Sequence, residues 1–323
     1  MKKNLTLITF ILIILMTLAA CSNESKQQQS AEQPNQENGQ IQQEPAQLPS
    51  EDRAGNKITI PSKINKIISI SPANTEIIIA LGLGDKLVAV DKYSDGIEGI
   101  PENIPYFDIM NPDVEQLVAL EPDIVYATSM SLSDGNDPFK PIKDMGITVA
   151  YIPASDSIEG IYKDIMFIAD SLQSSDKGNE IVDTMKDKVE YFKKIGSTIK
   201  NKKSVYFEIA AAPNLYSFGS GVFLNEMIEL LGAENILAGQ EKWISVSDEV
   251  IVAANPDVIL TNVNYIENAV DEIKSRAGWE NVTAIKNNDV YYIDNNASSL
   301  SDHNIVKALE QMAEAIYPDV YKK

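Results

Sequence analysis

Histidine and cysteine are nearly missing from this 323-residue sequence, and cationic side chains are few beside its acids. It holds one His and one Cys, which excludes an intrachain disulfide and any metal site built from several His or Cys ligands. A Ser-His-Asp or Cys-His arrangement has only His303 to draw on. Lys and Arg number 27 against 47 Asp and Glu, giving a formal net charge of -20. Nucleic acid is bound by clustered cations, so this balance argues against such a partner, and an anionic bilayer repels the folded part. No G-x-S-x-G, Walker A or G-x-G-x-x-G motif stands at a strand–helix turn. Paired carboxylates of a glycosidase carry no weight as a signal, because among 47 acids any pair can be chosen.

The single cysteine stands in an informative place. The N-terminus reads MKKNLTLITFILIILMTLAACSN, with Lys2 and Lys3 ahead of an apolar stretch from Leu5 to Leu18. Leu18-Ala19-Ala20 then leads directly to Cys21. Residues 1–20 are therefore expected to be a lipoprotein signal peptide, removed so that Cys21 carries the lipid, palmitate included. A membrane helix of about minimum length is the plainer alternative. Two or more acyl chains would hold the mature protein at a membrane. Residues 21–50 are rich in Gln, Glu, Asn, Ser and Pro and hold no aromatic residue. Such text buries too little apolar surface to offset its ordering entropy and reads as a tether.

The folded body is expected from residue 51. Short apolar runs ending in turn residues, KITIP, KIISIS, EPDIVYAT and ITVAYIP, read as strands, and NTEIIIALG reads as a capped helix. Alternation of the two predicts parallel α/β units over residues 51–155. Ile158, Ile161, Ile165, Ile168 and Leu172, then Ile181, Met185, Val189, Phe192 and Ile195, recur at helical spacing. Residues 156–201 are thus expected to be a helical spine, with Gly178 as a candidate break. Residues 202–323 return to α/β text. Length suits two such lobes.

One sentence is written twice. VEQLVALEPDIVYA (114–127) aligns with DEVIVAANPDVILT (248–261), placing Glu115 on Glu249 and Pro122-Asp123 on Pro256-Asp257. EIIIALG (76–82) likewise aligns with EMIELLG (226–232), and the order is kept. Asp113 and Ser247 suit the N-cap position, which places each Glu in a first helical turn, where dipole stabilisation alone accounts for an acid.

These segments, together with IISISPANTEIIIALGLGDKLVAVDKYSD, FLNEMIELLGAENIL and AGWENVTAIKNNDVYYID, resemble the substrate-binding lipoproteins of ABC importers for iron chelates and cobalamin. The resemblance runs from about Ile58 to Tyr317. It implies two Rossmann-like lobes joined by a long inter-lobe helix, a cell-membrane location on the extracellular face, and delivery to a permease dimer with its ATPase. It implies that Glu115 and Glu249 dock on the permease. It also implies that Tyr93, Phe107 and Trp243 line the ligand cleft, with Tyr216 and Phe218 adding to the far wall. Flat apolar faces suit a large conjugated ring. Haem-binding members carry a Met near the position of Met110 and a His in the second lobe. The matching position here is Asn264, while His303 lies in SLSDHNIV, a loop that often borders the cleft in the family, so Met110 and His303 are candidate ligand contacts. The loop NNASSLSDHN departs from the family by lacking the Arg and Pro of many siderophore binders. A polyanionic catecholate held in a cleft needs compensating cations. The expected ligand is therefore an uncharged or cationic chelate: a corrinoid first, a ferric hydroxamate second, haem third. No resident cofactor, protein-held metal or catalytic residue is expected. A surface hydrolase using carboxylates is the alternative from another class.

Overall fold

The computed structural model describes residues 48–132 and 137–321. The expected signal peptide, Cys21 and nearly all of the expected tether lie outside the described residues. Two parallel sheets follow one another along the chain. The first is built from β1 (Ile67–Ser69), α1 (Pro72–Ala80), β2 (Leu87–Asp91), β3 (Tyr106–Phe107), α2 (Val114–Ala119), β4 (Ile124–Ala127), α3 (Lys140–Asp144) and β5 (Thr148–Tyr151). Its strand order is β3-β2-β1-β4-β5. Two helices follow, α4 (Ile158–Ser171) and α5 (Ser175–Gly196).

The second sheet has the order β11-β10-β6-β8. Its elements are β6 (Ser204–Glu208), β7 (Tyr216–Phe218), α6 (Phe223–Leu230), β8 (Glu234–Asn235), β9 (Trp243–Ser245), α7 (Asp248–Ala254) and β10 (Val258–Thr261). After these come α8 (Ala269–Lys274), α9 (Thr283–Asn287), β11 (Val290–Tyr292), α10 (Asn295–Ser299), α11 (Ile305–Ile316) and α12 (Pro318–Tyr321). β7 and β9 form a separate antiparallel pair.

The central strands are short, continuous apolar runs because helices cover both faces of a parallel sheet. β1, β4 and β10 are buried at every position. One face of each sheet joins a single core through α4, α5 and α11, where Ile67, Tyr126, Ile165, Met185, Phe207 and Met312 meet. The outer faces close over separate clusters, Ile68, Val125 and Leu117 on the first sheet and Tyr206, Ile259 and Trp279 on the second.

The duplicated text occupies equivalent places. In each lobe it is a helix, a Pro-Asp turn, and a strand lying beside the lobe's first strand, β4 on β1 and β10 on β6. The repeated aspartate has a job in that register. Asp123 accepts the Asn65 and Lys66 amides at 2.7 and 2.9 Å, fastening the start of β1. Asp257 accepts the Ser204 amide at 2.8 Å, fastening the start of β6. The glycines closing the second repeat, Gly82 and Gly232, both have φ of 78°, the left-handed turn that stops α1 and α6.

Two expectations need correction. KITIP forms no strand: Lys57 makes one isolated bridge to Glu51, and Pro61, lacking an amide donor, extends nothing. The helical break is at Leu172–Ser174, where Gln173 has φ of 57° and Ser174 donates to Ala169 at 2.7 Å. Gly178 lies inside α5 instead, because a Cβ there would come within 2.4 Å of the Ala169 Cβ. Absence of a side chain at that position is what lets α5 cross α4 closely.

Candidate functional site

In a sheet ordered β3-β2-β1-β4-β5 the chain reverses direction of winding between β1 and β4. Ligands of such sheets sit beyond the strands' carboxyl ends, at that reversal. A cavity of about 340 Å³ lies there. Ser71 and Asn74 after β1, Tyr93 after β2, Met110 after β3, Thr128 and Met130 after β4, and Pro153 after β5 contribute to its wall. Asp164 of α4 and the second-lobe residues Ser299–Ser301 complete it.

Three of these side chains project apolar surface at the rim: Tyr93, Met110 and Met130 are 62%, 55% and 59% exposed. Their loops are tied to one another. The Tyr93 amide donates to Asp91 Oδ1 at 2.8 Å and the Ser94 hydroxyl donates to Asp91 Oδ2 at 2.5 Å, so a buried carboxylate caps the turn carrying the ring. Burial raises the pKa of Asp91 above the ordinary carboxylate value, and these donors oppose the shift. Lys92 Nζ donates to Asp108 Oδ2 at 2.5 Å, and the Met110 amide donates to Asp108 Oδ1 at 2.8 Å. Ser131 Oγ donates to the Ile109 carbonyl at 2.8 Å, joining the Met130 loop to the Met110 loop.

The floor is polar and mostly satisfied. Asp164, 2% exposed, accepts from Arg53 Nε and Ser155 Oγ, both at 2.5 Å. Burial raises its pKa, and the serine and arginine pull against that. Asn74 Nδ2 is buried without a hydrogen-bond partner. Across the cleft, Asn262 Nδ2 donates to the Ser298 and Ser299 hydroxyls at 3.0 and 3.1 Å, steadying the loop that faces the first lobe.

Of the residues singled out by sequence, the structure brings Tyr93 and Met110 into one wall. Phe107 and Phe218 are 5% and 0% exposed and belong to the packed interior, so neither ring offers a face to a ligand. Phe107 is the inward-facing residue of β3, where its neighbour Tyr106 points outward; Phe218 ends β7 and packs on Phe207. Tyr216 and Trp243 sit on the β7–β9 pair, 36% and 38% exposed, with Trp243 edge-on to Phe218 at 5.8 Å. Neither lines the cavity. His303 is outside it as well; burial lowers its pKa, and Nδ1 has no hydrogen-bond partner. Met130, Asn74, Thr128 and Asp164 went unremarked in the sequence, whereas Ser299–Ser301 belong to the loop NNASSLSDHN already singled out there. The usable signal for Ser71 and Thr128 was position alone, just past the end of an expected strand.

Glu115 and Glu249 are exposed in the first turns of α2 and α7. A helix leading by a tight turn into a strand runs back along it, so both first turns lie at the strands' carboxyl ends, the cavity's end. Asp113 caps α2 through the Gln116 amide at 3.1 Å. Ser247 does not cap α7; its hydroxyl binds Glu249 and lowers that carboxyl's pKa. Among the described residues there is no group of three or more His, Cys, Asp or Glu side chains that could hold a metal ion.

A family model described as periplasmic binding protein matches residues 67–297. Over the full length of both chains, the sequence is 33% identical to an uncharacterized ABC transporter substrate-binding lipoprotein, YvrC, of Bacillus subtilis (strain 168). It is 27% identical to the vitamin B12-binding protein of Yersinia pestis (strain Pestoides F), over 68% of this chain and 76% of that one. Among solved structures, a possible iron-binding (periplasmic solute-binding) protein from Staphylococcus epidermidis ATCC 12228 aligns with a TM-score of 0.69 at 30% identity. That alignment covers 79% of this chain and 100% of the other.

Proposed function

The chain belongs to the periplasmic binding protein family and is a substrate-binding protein of an ABC transporter; on that premise we propose that it captures an uncharged or cationic metal chelate, a corrinoid, at the cavity beyond the first sheet. The observation that carries this reading is the composition of the wall. Tyr93, Met110 and Met130 supply apolar contact, and no Lys or Arg is among the lining residues. An anionic chelate would be desolvated there without a cation to receive it. Likeness to a vitamin B12-binding protein supports the corrinoid over other uncharged chelates. A ferric hydroxamate satisfies the same wall and ranks second. Haem held between Met110 and His303 ranks third, since His303 does not line the cavity. The hydrolase alternative needs two carboxylates facing one bond. The wall holds a single acid, Asp164, which is engaged by Arg53.

Anchoring by lipid at Cys21 on the extracellular face, a tether over residues 21–50, and docking through Glu115 and Glu249 to a permease dimer complete the proposal. The decisive measurement is thermal unfolding of the purified protein with cobalamin, a ferric trihydroxamate or haem added. A ligand at about 100 times its Kd stabilises the native state by about 2.7 kcal/mol. Cobalamin is expected to give the largest rise in Tm, and no rise with any of the three overturns the chelate reading.

A further inference from the structure

The cations that border the cavity are each engaged by an aspartate. Arg53 Nε donates to Asp164 at 2.5 Å. Lys242 Nζ donates at 2.8 Å to Asp156, two residues beyond the wall residue Ala154. Lys92 Nζ donates at 2.5 Å to Asp108, two residues before the wall residue Met110. The first pair is largely buried, with side-chain exposures of 28% and 3%, and lies in the floor. Lys242–Asp156 is open, at 54% and 51%, and so is the Lys92–Asp108 pair at the rim, at 47% and 39%. The Lys92 ammonium stands 5.3 Å from the centroid of the Tyr93 ring, which is the aromatic residue of the wall.

We propose that Asp108 is a specificity-determining residue: it holds the Lys92 ammonium in a neutral pair at the rim, and so sets the cavity against anionic chelates. An exposed ion pair adds little to stability. What it changes is the charge presented to an arriving ligand. With Asp108 ionised, the rim is neutral and an anion meets no unpaired cation. With that charge removed, Lys92 becomes a free donor beside the ring that a ligand covers. Charge arrangements of this kind act by rejecting the wrong partner as much as by holding the right one. The same carboxylate also accepts the Met110 amide, so the discriminating charge is built into the turn that positions a contact residue.

Asp108→Asn is the informative variant, because an amide oxygen still accepts from the Met110 amide while the charge is gone. The inference rests on the chelate reading above, so the probe is chosen to separate the two. Full-chain protein in detergent is titrated with a trianionic ferric tris-catecholate at low ionic strength, following tryptophan fluorescence. Asp108→Asn is expected to bind it roughly tenfold more tightly than the wild type, the value of one charge-assisted hydrogen bond. High salt is expected to erase the gain, and adding Lys92→Met to the same variant is expected to abolish it. No gain, or a gain that survives Lys92→Met, overturns the proposal. Failure of the wild type to bind any uncharged chelate would count against the chelate reading alone, since the tris-catecholate comparison decides the role of Asp108 without it.

Discussion

At the scale of single residues, the buried charges divide into those with partners and those without. Asp302, between α10 and α11, is fully buried; Oδ1 accepts the Asn304 amide at 2.6 Å and Oδ2 has no partner. Burial holds its pKa well above the ordinary aspartate value, with Glu76 adding to the effect. The folded chain therefore keeps a proton that the unfolded chain releases. That contribution to stability is full below the ordinary aspartate pKa and is lost as pH rises through the raised value. Asp302→Asn stands in for the protonated form. Its Tm is expected to match the wild type in acid and to exceed it increasingly towards neutral and alkaline pH. His303 titrates in both proteins, so comparison at equal pH cancels its contribution to first order. A constant Tm difference across pH would show that Asp302 is not held protonated. Arg276 is the opposite case. It is 7% exposed, forks onto Glu208 at 2.7 and 2.8 Å, and stacks 4.8 Å from the Trp279 ring. Arg276→Met leaves Glu208 buried without compensation and is expected to cost about 3–5 kcal/mol in urea unfolding. Adding Glu208→Gln is expected to recover most of that loss. If the double variant is no more stable than the single one, the cost lies in packing on Trp279 rather than in the stranded charge.

At the scale of elements, α5 is fixed at both ends by glycines whose missing side chains admit a neighbour. Gly178 admits the Ala169 side chain of α4. At Gly196 a Cβ would lie 2.0 Å from the Leu230 carbonyl oxygen and 2.9 Å from the Gly232 nitrogen, at the end of α6. A side chain can yield where a backbone carbonyl cannot. Gly196→Ala is therefore expected to lose at least about 2 kcal/mol, and Gly178→Ala less, with relief by Ala169→Gly. Equal losses in denaturant titrations would place the resistance in the helix itself. These contacts also mark where the sequence stopped being readable. The helical periodicity was legible, because all five residues from Ile158 to Leu172 that carry it are buried. The break was not, since Gly178 is locally the better helix breaker and only the crossing with Ala169 shows why it stays helical. The central strands were legible from their continuous apolar runs, whereas KITIP misled and the two- or three-residue strands β3, β7, β8 and β9 gave no such run. The cavity was much less so. Asn74, Met130 and Asp164 are far apart in the chain and look like an ordinary helix, loop and helix-face residue until the sheet order brings them together. Phe107 and Tyr93 read alike as loop aromatics, and only the two-residue strand β3 turns one of them inward.

At the scale of the whole folded body, the duplicated helix–strand unit gives each lobe the same edge. α2 and α7 begin at the carboxyl ends of their sheets, and each first turn exposes one glutamate there. A single core runs through α4, α5 and α11 between the sheets, so the lobes are not separate bodies on a free hinge. Packed interiors resist gradual deformation. A partner that must release the ligand is then better served by holding both lobes at once than by either alone. This argues for Glu115 and Glu249 as paired contacts rather than as dipole-stabilising acids. For the latter role, reversing a charge costs little stability and leaves transport intact. Glu115→Arg with Glu249→Arg is expected to keep ligand Kd within about threefold, because exposed charges away from the cavity wall are screened. Uptake by cells carrying the double variant is expected to fall at least roughly tenfold, the cost of reversing one or more interfacial charge pairs. Each single reversal is expected to fall between the double variant and the wild type, since one lobe keeps its contact. Full uptake by the double variant would return both glutamates to the role of helix-end residues.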